Sequence, residues 1–223
     1  VFSTMDKCTY SNDTTAAVPG ANLSNSRYDG GAAGNETSGY FACGNFFPGP
    51  VYYTLVDKVT YSNDTTAQVP GASLSFARSK LAAAGNRTTG YFGGGGPGGP
   101  AYSTMDKLNY STEVAEAVPG ANFNTGTGRY NFGASSARDY GLPQRSLATP
   151  TNTFSDTSTA PNTGYFGGGR TPSFYSTMDK LTYSSDTTAE VPGAALSAAR
   201  RGVAATGNST DGYFGGGNDG SPN

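Results

Sequence analysis

Four Asp-Lys pairs are the most regular charged groups in this sequence, at Asp6-Lys7, Asp57-Lys58, Asp106-Lys107 and Asp179-Lys180. Neighbouring residues of a strand point to opposite faces, so the two members of a pair cannot act on one site. The chain also contains no His, which is the commonest general base and metal ligand. Because these charges follow the repeat, we expect each Asp to cap a turn or to pair with an Arg of a neighbouring repeat.

Catalysis would require residues that break the repeat symmetry, such as an asymmetric carboxylate pair for a hydrolase. The sequence shows no such pair, and no loop carries the spaced acidic pattern of a calcium site. We therefore expect no catalytic residues, no cofactor and no metal site, and a protein that is not an enzyme.

The two cysteines, Cys8 and Cys43, depart from the repeat consensus together, in the first repeat. Cys8 replaces a Val or Leu of the other repeats, and Cys43 replaces a Gly. Their coincidence predicts a disulfide between neighbouring units and an oxidising compartment. The alternative is two unrelated buried thiols.

Asn-x-Ser/Thr sequons provide the remaining candidate sites, here for glycosylation of a secreted chain. Three of them occupy one repeat position, in the turn before Gly-Tyr-Phe, where Asn suits the turn conformation in any case. Both explanations stay open at this stage. The sequon residues are Asn12, Asn22, Asn35, Asn63, Asn86, Asn109 and Asn208.

All of these residues belong to a repeat that occurs four times, starting near residues 3, 53, 103 and 176 with a segment typified by STMDKLTY. A polar turn, a Val-Pro-Gly-Ala step, an Arg, a run of small residues and a Gly-Tyr-Phe-Gly-Gly-Gly element follow. Such internal repetition predicts one repeat domain over residues 1–223. The Asp-to-Asp periods are 51, 49 and 73 residues, so the third repeat carries an insertion within 123–163. We assign Arg27, Arg78, Arg138 and Arg200 to the repeated Arg position.

Four short strands are expected in each unit. The Asp-Lys-x-x-Tyr segment alternates with period two, and the short Ala-x-Val segment after it ends at a Pro. The small-residue run and the Tyr-Phe-Gly-Gly segment supply two more strands, and Asn-Asp-Thr-Thr supplies a tight turn. No segment has a helical period, so the chain is predicted to be all-β.

The two termini are in phase with the repeat. The distance from Asp179 to the end, continued from the start to Asp6, is 50 residues, which is one period. The repeats therefore either close into a ring whose last unit is shared by both termini, or form part of a longer tandem array.

Composition excludes other classes. Only 13% of residues are charged, the net charge is −2 and no basic run occurs, so nucleic-acid binding is not expected. No window of about 18 apolar residues predicts membrane insertion. Because the chain begins with Val1 rather than Met, we expect a processed form or a segment of something longer.

The order of Tyr91-Phe92-Gly93-Gly94, a strand from Ser103, a turn, a short strand and a Pro resembles a kelch-type propeller blade over the whole chain. The resemblance implies a four-bladed kelch-like β-propeller in which N-terminal outer strands pair with C-terminal inner strands, and Arg78 and Arg200 open the first strands of blades. The alternative is a linear array of the same four-stranded units. The chain departs from the family in having Ala where a Trp follows the turn, and only four blades.

The repeated phrases also resemble tail-fibre and adhesin-like proteins of aquatic bacteriophages and environmental bacteria. We expect an extracellular or virion-surface structural and adhesive protein, a fibre, decoration or filament subunit that acts by rigid display. Its expected partners are other copies or other structural subunits.

A carbohydrate-binding propeller is the alternative function, with surface glycans as partners and the insertion as the binding surface. Unequal insertions of repeat proteins often lie on the binding face, and aromatic residues with Arg are enriched in recognition surfaces. The candidate binding residues are Arg129, Tyr130, Phe132, Arg138, Tyr140 and Arg145.

Overall fold

The computed structural model describes residues 2–46, 48–49, 51–123, 128–137, 162–207 and 211–220. Regular structure in these residues is β-strand, apart from four single 3-10 turns formed by the Pro-Gly-Ala steps. The all-β prediction is confirmed. The strands are β1 (Asp6–Thr9), β2 (Thr14–Ala17), β3 (Gly31–Gly34), β4 (Ser38–Ala42), β5 (Asn45–Phe46), β6 (Val51–Tyr52), β7 (Val56–Thr60), β8 (Thr65–Gln68), β9 (Ala82–Gly85), β10 (Thr89–Gly93), β11 (Met105–Asn109), β12 (Val114–Ala117), β13 (Gly133–Ala137), β14 (Thr163–Gly167), β15 (Arg170–Thr171), β16 (Ser173–Phe174), β17 (Met178–Thr182), β18 (Thr187–Glu190), β19 (Ala204–Gly207) and β20 (Gly212–Gly215).

Three four-stranded antiparallel sheets form the body of the structure, each in chain order. Sheet 1 contains β3, β4, β7 and β8, sheet 2 contains β9 to β12, and sheet 3 contains β13, β14, β17 and β18. Two two-stranded sheets complete the repeat pattern: an N-terminal half-sheet, β1–β2, and a C-terminal half-sheet, β19–β20. The small hairpins β5–β6 and β15–β16 are inserted in sheets 1 and 3.

Each outer hairpin turns at an acidic residue in the left-handed region. The residues are Asp13, Asp64, Glu113 and Asp186, with φ between 52° and 56°. Just before the turn, Asn63 Oδ1 accepts hydrogen bonds from the Thr65 N–H and hydroxyl, and Asn12 does the same for Thr14. These are the local bonds by which Asn favours turns, and the predicted turns are confirmed.

The sheets pack on one another in series. Strand β3 packs on β9, β9 on β13 and β13 on β19. Small residues allow the close approach: a Cβ on Gly90 would lie 3.1 Å from the Ala33 Cβ, and one on Gly133 would lie 3.1 Å from the Ala205 Cβ. The predicted small-residue strand therefore lies where neighbouring sheets meet.

The core lies between successive sheets. Tyr40, Val56, Leu81 and Leu108 belong to a buried cluster between sheets 1 and 2. Between sheets 2 and 3 the buried residues are larger, and Phe123, Phe132 and Phe166 pack edge to face or tilted, with ring centroids 5.2–6.3 Å apart. Burial of these side chains is the main force that holds one sheet on the next.

The four-stranded unit predicted from the sequence is confirmed, and three copies of it are present in the described residues. The closing pairing of N-terminal with C-terminal strands is absent from the described residues: β1 pairs with β2 alone, and β20 with β19 alone. Because the packing runs in series from β3 to β19, the two half-sheets belong to different ends of the stack.

Candidate functional site: the repeated interfaces and the two open half-sheets

A buried ion pair is built into each four-stranded sheet. Arg27 pairs with Asp57 at 2.7 Å, Arg78 with Asp106 at 2.5 Å, and Arg129 with Asp179. The side chains in all three pairs are 0–3% exposed. Buried charges at this depth require a partner, so the pairs explain why the Asp recurs with the repeat.

Each Arg joins the two middle strands of its own sheet. The Arg78 guanidinium donates to the Phe92 carbonyl at 3.1 Å, and Phe92 lies opposite Asp106 in the strand register. Ser75 adds two bonds to the same carboxylate from its N–H and hydroxyl, at 3.1 and 3.0 Å. Asp57, Asp106 and Asp179 therefore each pair with an Arg that lies in the preceding repeat of the sequence but belongs to the same four-stranded sheet, so the pair forms within one sheet and does not join two.

The assignment of Arg138 to the repeated Arg position was wrong, because Arg129 occupies it. Arg129 follows Pro119 by ten residues, whereas Arg27, Arg78 and Arg200 follow their prolines by eight. The spacing from Pro therefore did not identify Arg129 as the repeated Arg. Burial lowers the pKa of Arg129 below its usual value, and the charge of Asp179 opposes that change.

A second set of contacts joins each sheet to the next through the acidic turn residue. Lys7 pairs with Asp64 at 2.7 Å, Lys58 with Glu113, and Lys107 with Asp186 at 2.6 Å. In each case the Lys is the one that follows the repeated Asp. The two members of an Asp-Lys pair thus point to opposite faces, as expected, and they have separate structural roles.

Stacked tyrosines accompany these ion pairs, and the sequence analysis did not identify them. The Tyr40 and Tyr110 rings stack at 5.0 Å with an interplanar angle of 10°, and Tyr91 and Tyr183 stack at 5.0 Å and 16°. The Tyr40 hydroxyl also donates to Glu113 at 3.3 Å. Burial and this carboxylate raise the pKa of Tyr40 to about 12. The recurrence of Tyr at two positions of each repeat was the available signal.

The two half-sheets carry the same residues without the same partners. Arg200 donates to the Phe214 carbonyl at 3.3 Å, as the other three arginines do to the equivalent carbonyl. Within the described part of the chain, however, Arg200 forms no ion pair, and Asp6 is exposed and forms none. Tyr10 and Tyr213 are 88% and 63% exposed, whereas equivalent tyrosines between complete sheets are at most 6% exposed: Tyr110 and Tyr183 for Tyr10, and Tyr40 and Tyr91 for Tyr213.

The predicted disulfide is not formed, because both cysteines are free thiols. Cys8 is exposed on β1, in the N-terminal half-sheet. Cys43 is fully buried after β4, with φ of 58° where other repeats have Gly, and burial raises its pKa to about 12. The consensus departures therefore lie in two different sheets.

Five of the predicted sequon residues act as turn acceptors. The Oδ1 atoms of Asn12, Asn35, Asn63, Asn86 and Asn109 each accept the backbone N–H two residues ahead. Asn22 is exposed after the first 3-10 turn, and Asn208 lies outside the described residues. Turn formation accounts for the repeated Asn, and glycosylation stays a prediction.

Some of the predicted binding residues lie in the core, and others lie outside the residues that the structure describes. Arg129 and Phe132 are buried, at 1% and 6% exposed, so they are not surface residues. Tyr130 is half-buried, bridges to Arg170 through its backbone, and has the Lys80 ammonium 5.6 Å from its ring centroid. The remaining candidates, Arg138, Tyr140 and Arg145, lie outside the described residues.

Metal binding and a membrane-spanning helix have no support in the residues that the structure covers. They contain no cluster of three or more His, Cys, Asp or Glu that could hold a metal ion. None of their helical turns has the length and apolarity needed to cross a membrane. No family model and no curated protein matches the chain.

Proposed function

We propose that this chain is an extracellular structural or adhesive protein, a fibre, decoration or surface-filament subunit that acts by rigid display and protein–protein contact. One observation carries the proposal: the same sheet-to-sheet interface recurs along the chain, with an ion pair, and a Tyr stack in two of its copies, at equivalent positions. Residues that repeat with the fold serve the architecture, whereas a catalytic site needs a unique arrangement.

The arrangement that we propose is a linear array of four-stranded units. Packing of β3 on β9, β9 on β13 and β13 on β19 supports an array, because each repeat contacts its neighbours in sequence. Stability in such proteins is approximately a sum of the stabilities of the units and of the interfaces between neighbours. A buried ion pair in each sheet and close packing between sheets would make the array stiff, which suits display.

The location of the protein is tested by antibody labelling of the cells or particles that produce it, viewed by electron microscopy. We expect labelled fibres or projections at the surface. Label confined to the cell interior would overturn the proposal.

Glycan recognition, the alternative expected from the sequence, is tested with the same purified chain. Binding on a glycan array that is lost when residues 138–161 are deleted would replace passive display by lectin activity. Absence of glycan binding, together with surface labelling, is the result that we expect.

A further inference from the structure

We propose that the C-terminal half-sheet of one copy and the N-terminal half-sheet of a second copy join into one four-stranded sheet, so that copies associate head to tail. This inference rests on the linear array of the proposed function and names its partner, a second copy of this chain. The observation behind it is that the two half-sheets, β1–β2 and β19–β20, together carry the parts of one complete sheet.

The strand register follows from the complete sheets. Strand β10 pairs with β11 so that Tyr91 lies opposite Lys107 and Phe92 opposite Asp106. The same pairs recur between β4 and β7 and between β14 and β17. Applied to the junction, this register places Tyr213 opposite Lys7, and Phe214 opposite Asp6, of the second copy.

The junction would supply the missing ion pair. Arg200 is half-buried and already donates to the Phe214 carbonyl, which is the geometry that Arg27, Arg78 and Arg129 adopt beside their carboxylates. Asp6 of the second copy is the equivalent of Asp57 and Asp106, which are fully buried. Joining the half-sheets therefore gives a half-buried cation and an exposed carboxylate the partners that every complete sheet provides.

Contacts with the neighbouring sheets would be completed as well. Lys180 of sheet 3 and Asp13 of the N-terminal turn form no ion pair in the described part of the chain, although their equivalents Lys107 and Asp186 pair with each other. Tyr165 is half-buried, whereas its equivalents Tyr40 and Tyr91 are at most 1% exposed because a Tyr of the next sheet covers each of them. Tyr10 of the second copy, now 88% exposed, stands at that covering position.

The open face of sheet 1 carries an open depression on the side that would face a preceding half-sheet. A cavity of about 350 Å³ lies on sheet 1, and its lining includes Ala32, Phe41 and Tyr61. Ala83, the equivalent of Ala32 in sheet 2, lies 3.5 Å from the position of a Cβ on Gly31 of sheet 1, so this residue faces the preceding sheet. In the assembly the preceding sheet would be β19–β20 of the other copy.

The contact uses a different surface on each partner and so does not close on itself. A heterologous contact whose rotation does not close generates an open filament. Each copy would contribute its three complete sheets and one shared sheet. Pairing the exposed edges of β1 and β20 would also remove two strand edges that otherwise invite uncontrolled association.

The test uses purified residues 1–223 in sedimentation-velocity and light-scattering measurements over a wide concentration range, with negative-stain microscopy at the highest concentration. We expect the mass to rise with concentration in multiples of the chain mass, and unbranched threads in the images. A folded chain that stays monomeric throughout would overturn the inference.

Two charge reversals identify the junction. Asp6→Arg and Arg200→Asp each place like charges at the shared sheet, and each is expected to weaken association at least tenfold. An equimolar mixture of the two variants should associate again, because the first keeps a native Arg200 end and the second a native Asp6 end. Arg87→Asp, at a turn position of sheet 2 where Arg87 is 59% exposed, is the matched control and should assemble like the wild-type chain. Unchanged assembly of both reversals, or a mixture that stays monomeric, would also overturn the inference.

The reactivity of the Cys8 thiol detects the junction without a substitution that changes the charge of the chain. Its equivalents Val59, Leu108 and Leu181 are 0–5% exposed in complete sheets, so Cys8 should lose reactivity towards a thiol reagent as the chain assembles. Cys43 should stay unreactive in every variant, which shows that each variant is folded. Reactivity of Cys8 that does not change in assembled material would place the contact elsewhere.

The inference and the proposed function can fail separately. A folded monomer would leave a structural protein that needs a different partner. Head-to-tail filaments found inside the cell would leave the junction intact and overturn the extracellular function.

Discussion

The Arg78 guanidinium and the Asp106 carboxylate form an ion pair at 2.5 Å in which neither side chain has any exposure to solvent. The Asp106 carboxylate also accepts two hydrogen bonds from Ser75, and Arg78 donates one to the Phe92 carbonyl. The pair therefore links the segment before β9, which contains Ser75 and Arg78, to the two middle strands of sheet 2. Equivalent pairs in sheets 1 and 3 make this the common internal link of the repeat.

Removal of one partner of this pair should be strongly destabilising. Asp106→Ala leaves the Arg78 charge buried and uncompensated, which we expect to cost about 3–5 kcal/mol. Urea denaturation followed by circular dichroism measures the loss. Arg87→Ala is the control, because Arg87 is 59% exposed and its contact with Glu36 is 3.5 Å long, so a change within about 1 kcal/mol is expected. A cost below about 1 kcal/mol for Asp106→Ala would contradict the structural role of the pair.

Gly95 occupies a backbone position that only Gly fits. Its φ is +81°, and a Cβ there would lie 2.4 Å from the Ser79 carbonyl oxygen. Gly95→Ala should therefore lower stability by at least about 1–3 kcal/mol, the usual cost of such a backbone conformation. Gly193→Ala, where a Cβ meets nothing within 4 Å, is the matched control and should change the urea midpoint little. Equal urea midpoints for the two variants would contradict this prediction, because they would mean that the backbone around Gly95 adjusts to accept a side chain.

The two thiols should react at very different rates in native monomer. Cys8 is exposed, whereas Cys43 is fully buried with a pKa raised to about 12, and reaction requires an accessible thiolate. A thiol assay at low protein concentration without reductant should detect one fast group, and a second only after unfolding. Cys8→Ser should abolish the fast phase and Cys43→Ser should leave it. An assay that finds no thiol before reduction would instead indicate the disulfide expected from the sequence.

Stability should decline at alkaline pH because of buried tyrosines. The pKa of Tyr40 is raised from 10.0 to about 12, and burial raises that of Tyr91 still further. The unfolded chain therefore loses these protons first, so the stabilisation is complete below pH 10 and is lost as the pH rises from 10 to 12. Each tyrosine contributes up to about 1.4 kcal/mol per pH unit in that window.

Urea midpoints measured between pH 8 and pH 11 test this dependence. Tyr40→Phe should show a flatter decline than the wild-type chain, although it is less stable at pH 8 because it lacks the bond to Glu113. Tyr10→Phe, at an exposed position, should follow the wild-type curve. Superimposable curves for all three proteins would contradict a buried, protonated Tyr40.

The sequence by itself determined the unit of this fold. Period-two alternation at Asp-Lys-x-x-Tyr, the Pro that ends the second strand and the Asn-Asp turns are local signals, and they predicted four strands per repeat that β9 to β12 display. The regular recurrence of Asp57 and Asp106 also indicated that these charges serve structure, because residues in equivalent environments meet equivalent constraints.

Only the tertiary structure decided how the units meet. Whether β1 joins β20 within one molecule depends on the direction in which successive sheets pack, and no local pattern encodes that direction. Arg129, two residues further from its Pro than the other arginines, was identified by its contact with Asp179. Cys8 and Cys43 coincide in the sequence repeat but belong to different sheets. Partners across a sheet or an interface are fixed by strand register and stacking, and spacing along the chain does not determine either one.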